Sequence, residues 1–154
     1  MTIRFDAAEC RDLARALERE WLVVNGLGGY ASGTLAGVNT RRYHGLLMAA
    51  LRPPMQRVLC LAVVETWWVP ADGSVRALVG HEHPDGTVSP VAAPDEVVLD
   101  GRLPRWRWRF GNDVVERRLW MDPDQNRTVM TFRLLQGAAG RLRLRPLFAL
   151  RPAD

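Results

Sequence analysis

The segment from Trp21 to Gly45 contains six glycines, placed between runs of residues that alternate like β-strands. Ordering a glycine costs more backbone entropy than ordering any other residue, so a dense group of ordered glycines needs a structural reason. Between strands, that reason is a positive φ angle or the close approach of another backbone or a ligand. We therefore expect this segment to bend between antiparallel strands and to lie at the functional surface.

The rest of the chain divides into one helical pattern and a series of strand patterns. Asp6 and Glu9 have the spacing of a capping box, and apolar residues recur at helical intervals from Cys10 to Trp21. The β-prone runs that follow cover residues 20–24, 30–38, 46–50, 58–69, 75–79, 96–99, 105–110, 114–121, 128–135 and 141–147. Many short strands without intervening helices favour an antiparallel arrangement. The predicted fold is an all-β antiparallel β-sandwich with a short N-terminal helix.

Two hairpins are predicted in the second half of the chain. The first joins residues 105–110 to residues 114–121 through a turn that contains glycine and asparagine. Strict alternation places its aromatic residues on one face, which we expect to be buried, and its arginines on the other, which we expect to be in water. The aromatic residues are Trp106, Trp108 and Phe110, and the arginines are Arg105, Arg107 and Arg109. The second hairpin is expected to run through residues 136–140.

Length and composition predict an ordinary single domain. The 154 residues, 47% of them hydrophobic, suffice for one core. The chain has no uninterrupted apolar stretch of about 18 residues, and its N-terminal residues are acidic where a secretory signal would be basic and then apolar. We expect a cytoplasmic protein that does not span a membrane, with Cys10 and Cys60 both reduced.

Three other chemistries are disfavoured by the residues around their motifs. Gly26 to Gly29 follow an apolar run, as in a dinucleotide-binding loop, but a strand pattern follows where that loop needs a helix. His81 and His83 could place two imidazoles on one strand face, but a third metal ligand is missing and the surroundings read as a polar surface loop. Nucleic-acid binding needs a dominant basic face, whereas 17 acidic residues offset 21 basic ones. We expect no cofactor, no metal and no nucleic-acid partner.

Four stretches of the sequence match the pattern of a known family. Glu20 to Tyr30 reads Glu-Trp-Leu-Val-Val-Asn-Gly-Leu-Gly-Gly-Tyr, and Asn39 to Leu47 reads Asn-Thr-Arg-Arg-Tyr-His-Gly-Leu-Leu. Arg117 to Met121 is a basic and aromatic strand, and Leu144 to Ala149 contains an Arg-Pro-Leu segment. Together they resemble the N-terminal domain of the bacterial and archaeal type of glycogen debranching enzyme, the amylo-α-1,6-glucosidase family. The residues from Leu150 onward depart from the family's pattern.

The resemblance implies an enzyme in two parts, in which an N-terminal supersandwich-like β-sandwich precedes a barrel of paired helices that holds the catalytic carboxylates. On that basis residues 1–154 form one non-catalytic domain, and the catalytic barrel, absent from this chain, is its expected partner. The implied role is in the breakdown of glycogen and related α-glucans. We expect the chain by itself to be inactive, because neither Glu65 nor Glu96 can be matched with the second carboxyl group that glycoside hydrolysis generally requires.

The candidate site lies in the glycine-rich segment. Sugar binding needs flat aromatic rings and planar hydrogen-bonding groups, and the guanidinium of arginine is such a group. The residues predicted to contact substrate or the partner domain are Asn25, Gly28, Gly29, Tyr30, Arg41, Arg42, Tyr43 and His44. Three alternatives stay open at this point. These residues could form an interdomain contact without touching sugar, or the chain could be a stand-alone glucan-binding module or a purely structural assembly domain.

Overall fold

A computed structural model describes residues 1–153, which form two antiparallel sheets packed against each other. Strands account for 56% of the residues and helices for 7%, which confirms the predicted all-β sandwich class. The elements in chain order are β1 (Thr2–Phe5), α1 (Ala7–Arg11), α2 (Leu13–Glu18), β2 (Glu20–Val24), β3 (Tyr30–Thr34), β4 (Gly45–Arg52), β5 (Met55–Val69), β6 (Arg76–Val79), β7 (Glu96–Asp100), β8 (Leu103–Phe110), β9 (Asp113–Met121), β10 (Thr128–Gln136) and β11 (Arg141–Pro152).

The strands form a five-stranded sheet, here sheet A, and a six-stranded sheet, here sheet B. Sheet A has the order β1-β7-β8-β9-β10, and sheet B has the order β11-β5-β4-β3-β2 with β6 paired to β5. Residues 136–140 connect β10 of sheet A to β11 of sheet B, so the second predicted hairpin is wrong. The glycines of this connection allow the chain to reverse, but β11 pairs with the long strand β5 of sheet B and not with β10.

The N-terminal helical pattern forms two short helices where one was predicted. The predicted capping box is present, since Asp6 accepts a hydrogen bond from the backbone N–H of Glu9 while the Glu9 side chain bonds back. Asp12 ends α1 and begins α2, because its extended backbone (ψ 91°) cannot continue a helix and its side chain accepts from the N–H of Arg15. β1 was not predicted. No helix among residues 1–153 has both the length and the apolar character needed to cross a membrane.

The hairpin of β8 and β9 is confirmed, and its aromatic face forms the centre of the core. Trp106 and Trp108 are 1% and 2% exposed. The indole N–H of Trp106 donates to the carbonyl of Leu35 at 3.1 Å, and Trp21 packs edge-to-face against the same ring with centroids 5.5 Å apart. Because Trp106 belongs to sheet A while Leu35 follows the end of β3, this ring joins the two layers without leaving its polar atom unpaired.

The arginine face of β8 differs from the prediction. Arg109 is exposed, but the side chains of Arg105 and Arg107 are only 23% and 36% exposed because carboxylates of the neighbouring strands bind them. Arg107 donates through Nε to Glu116 at 2.8 Å, and Arg105 donates to Glu96 at 3.1 Å. Periodicity predicted the face correctly, but it carries no information about which side chains lie opposite on β7 and β9.

Arg117, on the inner face of β9, is a buried cation. It is 3% exposed, its guanidinium carbon lies 4.6 Å from the centre of the Trp106 ring, and Nη2 lies 3.7 Å from the sulfur of Met130. Burial lowers the pKa of Arg117 to about 10. No carboxylate among residues 1–153 forms an ion pair with Arg117. The face of the Trp106 ring provides the electrostatic attraction instead.

Replacing Trp106 with alanine is expected to destabilise the domain by about 3–5 kcal/mol, because a cavity forms between the sheets and the bond to Leu35 is lost. Urea unfolding followed by circular dichroism measures this change in the free energy of unfolding. Arg109→Ala, at an exposed position of the same strand, is the matched control and is expected to change it by less than about 0.5 kcal/mol. Equal effects of the two substitutions would contradict the role given to the aromatic face.

Candidate functional site

The side chain of Asn25 organises the loop of residues 25–29 that joins β2 to β3. Asn25 is 2% exposed, and its Oδ1 accepts hydrogen bonds from the backbone N–H groups of Leu27 at 2.9 Å and Gly29 at 3.0 Å. Asparagine commonly stabilises turns through such bonds to nearby backbone N–H groups. Asn25 therefore shapes the loop from inside and has no surface to offer a ligand.

The same amide connects the loop to sheet A. Nδ2 of Asn25 donates to the carbonyl of Gln125 at 2.9 Å and to Oδ1 of Asn126 at 3.1 Å, both in the turn between β9 and β10. Asn126 in turn exchanges two hydrogen bonds with the backbone of Ala50 on β4. Asn126 was missed by the sequence analysis, because nothing in the polar run around it distinguishes it from an ordinary turn residue.

Two glycines of the loop are required by close approach. Gly28 has φ +94°, and a Cβ there would lie 2.8 Å from the carbonyl oxygen of Pro54. A Cβ on Gly29 would lie 2.7 Å from Nδ2 of Asn25 and 2.9 Å from the carbonyl oxygen of Met48. The sequence predicted a positive φ or a close approach, and the structure shows both, with protein as the neighbour.

Tyr30 lies on a small apolar cluster that is separate from the main core. The cluster consists of Met48, Leu59 and Ala153, and the Tyr30 ring packs against it in a partly buried position. The phenol hydroxyl donates to the backbone carbonyl of Tyr43 at 3.2 Å. Burial raises the pKa of Tyr30, so the phenol is protonated at neutral pH. Tyr30 thereby connects the glycine-rich loop to the segment of residues 39–45.

His44 is a buried, neutral histidine that shapes residues 39–45. It is 4% exposed, and its Nδ1 accepts hydrogen bonds from the backbone N–H groups of Thr40 at 3.1 Å and Arg41 at 3.2 Å. An accepting Nδ1 assigns the proton to Nε2, which lies 3.2 Å from a carboxylate oxygen of Glu20 without hydrogen-bond geometry. Burial lowers the pKa of His44, and the nearby Glu20 only partly opposes this effect.

The three residues before His44 are exposed. Tyr43 is 56% exposed, and Arg41 forms an ion pair with Glu20 at the start of β2. The backbone carbonyl of Arg42 accepts a hydrogen bond of 2.6 Å from Nη2 of Arg151, near the end of β11. The segment is therefore held to both edge strands of sheet B, to β2 through Glu20 and to β11 through Arg151.

Part of the predicted site forms one outward-facing surface. Tyr30 and Tyr43 lie together with Arg57 and Arg151, which the sequence analysis did not select, and the charges of both arginines lower the pKa of Tyr30 against the larger effect of burial. Arg57 is also fixed to the loop by a 2.7 Å bond to the Gly28 carbonyl. We call Tyr30, Arg42, Tyr43, Arg57 and Arg151 the tyrosine surface. Contact of this surface with sugar or with another domain stays a prediction.

The side of the sandwich between β10 and β11 exposes apolar residues. We call these residues the open side; with their exposed fractions they are Leu134 (38%), Leu135 (40%), Leu144 (49%), Leu147 (36%), Phe148 (70%) and Leu150 (73%). β11 is an edge strand among the described residues, with β5 as its neighbour on one side. Contiguous exposed apolar patches are uncommon on isolated domains and mark interaction surfaces. Leu150 directly precedes Arg151 of the tyrosine surface in the chain.

The histidines considered as metal ligands contact each other, and one of them binds a buried carboxylate. His81 lies with its Nδ1 2.8 Å from Oε1 of Glu65, whose Oε2 accepts from Nε of Arg145 at 2.5 Å, and its ring contacts that of His83. The loop that contains His81 was expected to be solvated, but the bond to Glu65 anchors part of it. Glu65 is 3% exposed, and a buried carboxylate requires such partners. Within residues 1–153 no group of three histidine, cysteine or acidic side chains is arranged to hold a metal ion. Cys10 and Cys60 are free thiols.

The fold and these surfaces define a β-sandwich domain that carries an aromatic, arginine-rich surface beside an exposed apolar side. Residues 19–154 match the family described as glycogen debranching enzyme N terminal. The chain therefore belongs to the glycogen debranching enzyme N-terminal family, and the resemblance seen in the sequence is confirmed. A search of curated proteins and a search of solved structures each returned no significant match.

Replacing Asn25 with alanine is expected to lower the free energy of unfolding by about 2–4 kcal/mol, because buried backbone N–H groups lose their acceptor and the connection to Asn126 is lost. Asn25→Asp keeps the acceptor and removes the two donors, so we expect an intermediate loss. Chemical unfolding measures both, with Asn112→Ala in the exposed β8–β9 turn as the control. A loss in Asn25→Ala no larger than in the control would exclude the proposed network.

The stability of the domain is expected to fall between pH 7.5 and pH 5, in part through His44. A histidine whose pKa is lower in the folded state than the usual 6.5 binds fewer protons when folded, so acidification below about 6.5 favours unfolding until the folded pKa is passed. His44→Phe is expected to be less stable at pH 7.5 by about 1–3 kcal/mol, since two N–H groups lose their acceptor.

Because phenylalanine does not titrate, the His44→Phe variant should lose less additional stability on going to pH 5 than the parent. Unfolding curves recorded at several pH values give the comparison. Asn112→Ala, at an exposed position without a titratable group, is the control and should keep the parent's pH dependence. If the His44→Phe variant also kept the parent's pH dependence, the loss of stability at low pH would have to be assigned to groups other than His44.

Proposed function

We propose that this domain is a non-catalytic supporting part of a cytoplasmic enzyme that removes α-1,6 branches from glycogen or related α-glucans. In this proposal the open side holds a catalytic helical-barrel domain, and the tyrosine surface faces the rim of its active-site cleft. The observation that carries the proposal is the group of exposed apolar residues on β10 and β11. Membership of the debranching enzyme N-terminal family supports the nature of the partner.

The open side is where a partner would gain the most binding free energy. Phe148 and Leu150 are 70% and 73% exposed, and fully burying one such side chain contributes roughly 1.5–3 kcal/mol. Arg141 and Arg143 are exposed on the same strand. We therefore expect the partner to present an apolar patch with acidic residues at its rim, since complementary charges orient an interface.

The charges around the buried carboxylates support a non-catalytic role. Glycosidases use two carboxyl groups, and the one that acts as general acid needs a raised pKa. Burial of Glu116 raises its pKa, but hydrogen bonds from Arg107 and Arg118 outweigh burial, so that the pKa is lowered overall. Glu65 is held by His81 and Arg145. Both carboxylates act as structural partners of arginine, and the lowered pKa of Glu116 makes it a poor proton donor.

A reconstitution experiment tests the proposal. The chain is mixed with a separately produced helical-barrel domain of a debranching enzyme, and association is measured by analytical ultracentrifugation. Glucose release from a branched dextrin is measured in parallel. We expect no release by the chain alone, a complex of the two domains, and more activity in the complex than in the barrel alone. Absence of a complex would overturn the proposal.

Phe148→Ser combined with Leu150→Ser is expected to weaken that complex by about tenfold or more, because the central apolar anchors of an interface carry most of its affinity. Val75→Ser is the matched control, since Val75 is also exposed, at 53%. It immediately precedes β6, whose first residue, Arg76, pairs with Trp68 near the C-terminal end of β5. Equal weakening by both changes would show that the contact is not at the open side.

Tyr43→Ala separates docking from substrate contact. If the tyrosine surface lines the cleft, this variant lowers kcat/KM for branched dextrin while the complex keeps its affinity. If Tyr43 serves docking only, the affinity of the complex falls and kcat/KM at saturating partner is unchanged. Retention of the isolated chain on immobilised glycogen, without any affinity for the barrel, would favour the stand-alone glucan-binding module.

A further inference from the structure

A groove of about 370 Å³ lies on the outer face of sheet A, on the opposite layer of the sandwich from the tyrosine surface. Strand register explains its walls. Arg4 lies opposite Val98, Val98 opposite Arg105, and Arg105 opposite Arg118, so these side chains share one face of the sheet. Residues directly opposite in an antiparallel sheet stand about 5 Å apart. The result is a row of planar guanidinium groups along one side of the groove.

The other side of the groove combines an indole with a hydroxyl and a carboxylate. Thr2 lies opposite Asp100, and its hydroxyl donates to Oδ1 of Asp100 at 3.0 Å. Trp120 also lines the groove, and its indole N–H donates to Asp122 at 3.3 Å, which restrains the orientation of the ring. Leu103 completes this side with an apolar surface.

The charges of the arginines are partly compensated. Arg4 and Arg105 both form ion pairs with Glu96, and Arg118 donates through Nε to Glu116 at 2.7 Å. Because these carboxylates fix the guanidinium groups and offset part of their charge, the groove presents oriented donors with a reduced positive charge. Asp100 adds a negative acceptor to the lining, which disfavours an anionic ligand.

We propose that this groove binds the neutral sugar rings of an α-glucan chain, at a site separate from the tyrosine surface. One ring packs its apolar face on Trp120, Arg105 and Arg118 donate to its hydroxyls, and Asp100 accepts from them. The groove volume falls within the roughly 300–1,000 Å³ of small-molecule sites. The fit to a neutral polyhydroxylated ring comes from the groove itself, whereas the choice of an α-glucan among sugars rests on the proposed function.

Titration of the ¹⁵N-labelled chain with maltohexaose tests the proposal. The indole N–H resonance of Trp120 is expected to shift, with a dissociation constant on the order of 1 mM. Arg118→Ala and Asp100→Asn are each expected to raise that constant about tenfold, because each substitution removes a charged group of the groove that hydrogen-bonds to the ligand. Arg109→Ala, also an exposed arginine of β8, is the control and should leave it unchanged. Trp120→Phe keeps an aromatic ring and should bind more tightly than Trp120→Ala, with both variants followed through the backbone amide resonances of β8 and β9 because they lack the indole.

Three results would overturn the proposal. The first is the absence of any shift at all soluble concentrations of maltohexaose. The second is sugar binding that survives the groove substitutions but is lost in Tyr43→Ala. The third is a stronger response of the same resonances to inorganic phosphate, which would make the groove an anion site. None of these results affects docking of the barrel at the open side, and a failure of docking leaves the titration result intact.

Discussion

The structure depends on tryptophans that are buried between the two sheets with their N–H groups satisfied. Trp106 reaches from sheet A to the carbonyl of Leu35, and Trp21 of sheet B packs against the same ring. The bond to Leu35 holds the connection between β3 and β4, which leads into residues 39–45. Arg117 lies over the Trp106 ring, which stabilises this buried charge. The position of the candidate site therefore follows from how these rings pack.

The glycine-rich signature is explained by the packing of the protein on itself. Asn25 and Asn126 form a satisfied amide network between the loops of the two sheets, and Gly29 is the residue that leaves room for it. Buried polar networks of this kind specify one arrangement because an unpaired member is costly. With the loop held in this way, Tyr43 and its neighbours stand outward beside the open side, while the groove near Trp120 lies on the other sheet. In the two proposals made above, one layer of the domain would meet a partner and the opposite layer would bind sugar.

Local patterns predicted the elements of the fold whose formation depends on nearby residues. The alternation around Trp106 and Trp108 predicted both the β8–β9 hairpin and its buried face, and the spacing of Asp6 and Glu9 predicted the start of α1. The path of residues 136–140 was not predictable in the same way. Turn residues show that a chain can reverse, but which sheet receives the next strand depends on β5, which is remote in sequence.

For the site, the sequence by itself determined the family, the glycine-rich segment and the residues from Asn25 to His44 that belong to it. Only the tertiary structure decided that Asn25 and His44 are buried, that Tyr43 is exposed, and that Arg57 and Arg151 join it. The physical reason is that backbone conformation responds to residues a few positions away. Burial, hydrogen-bond partners and charge compensation depend instead on side chains brought together from distant parts of the chain.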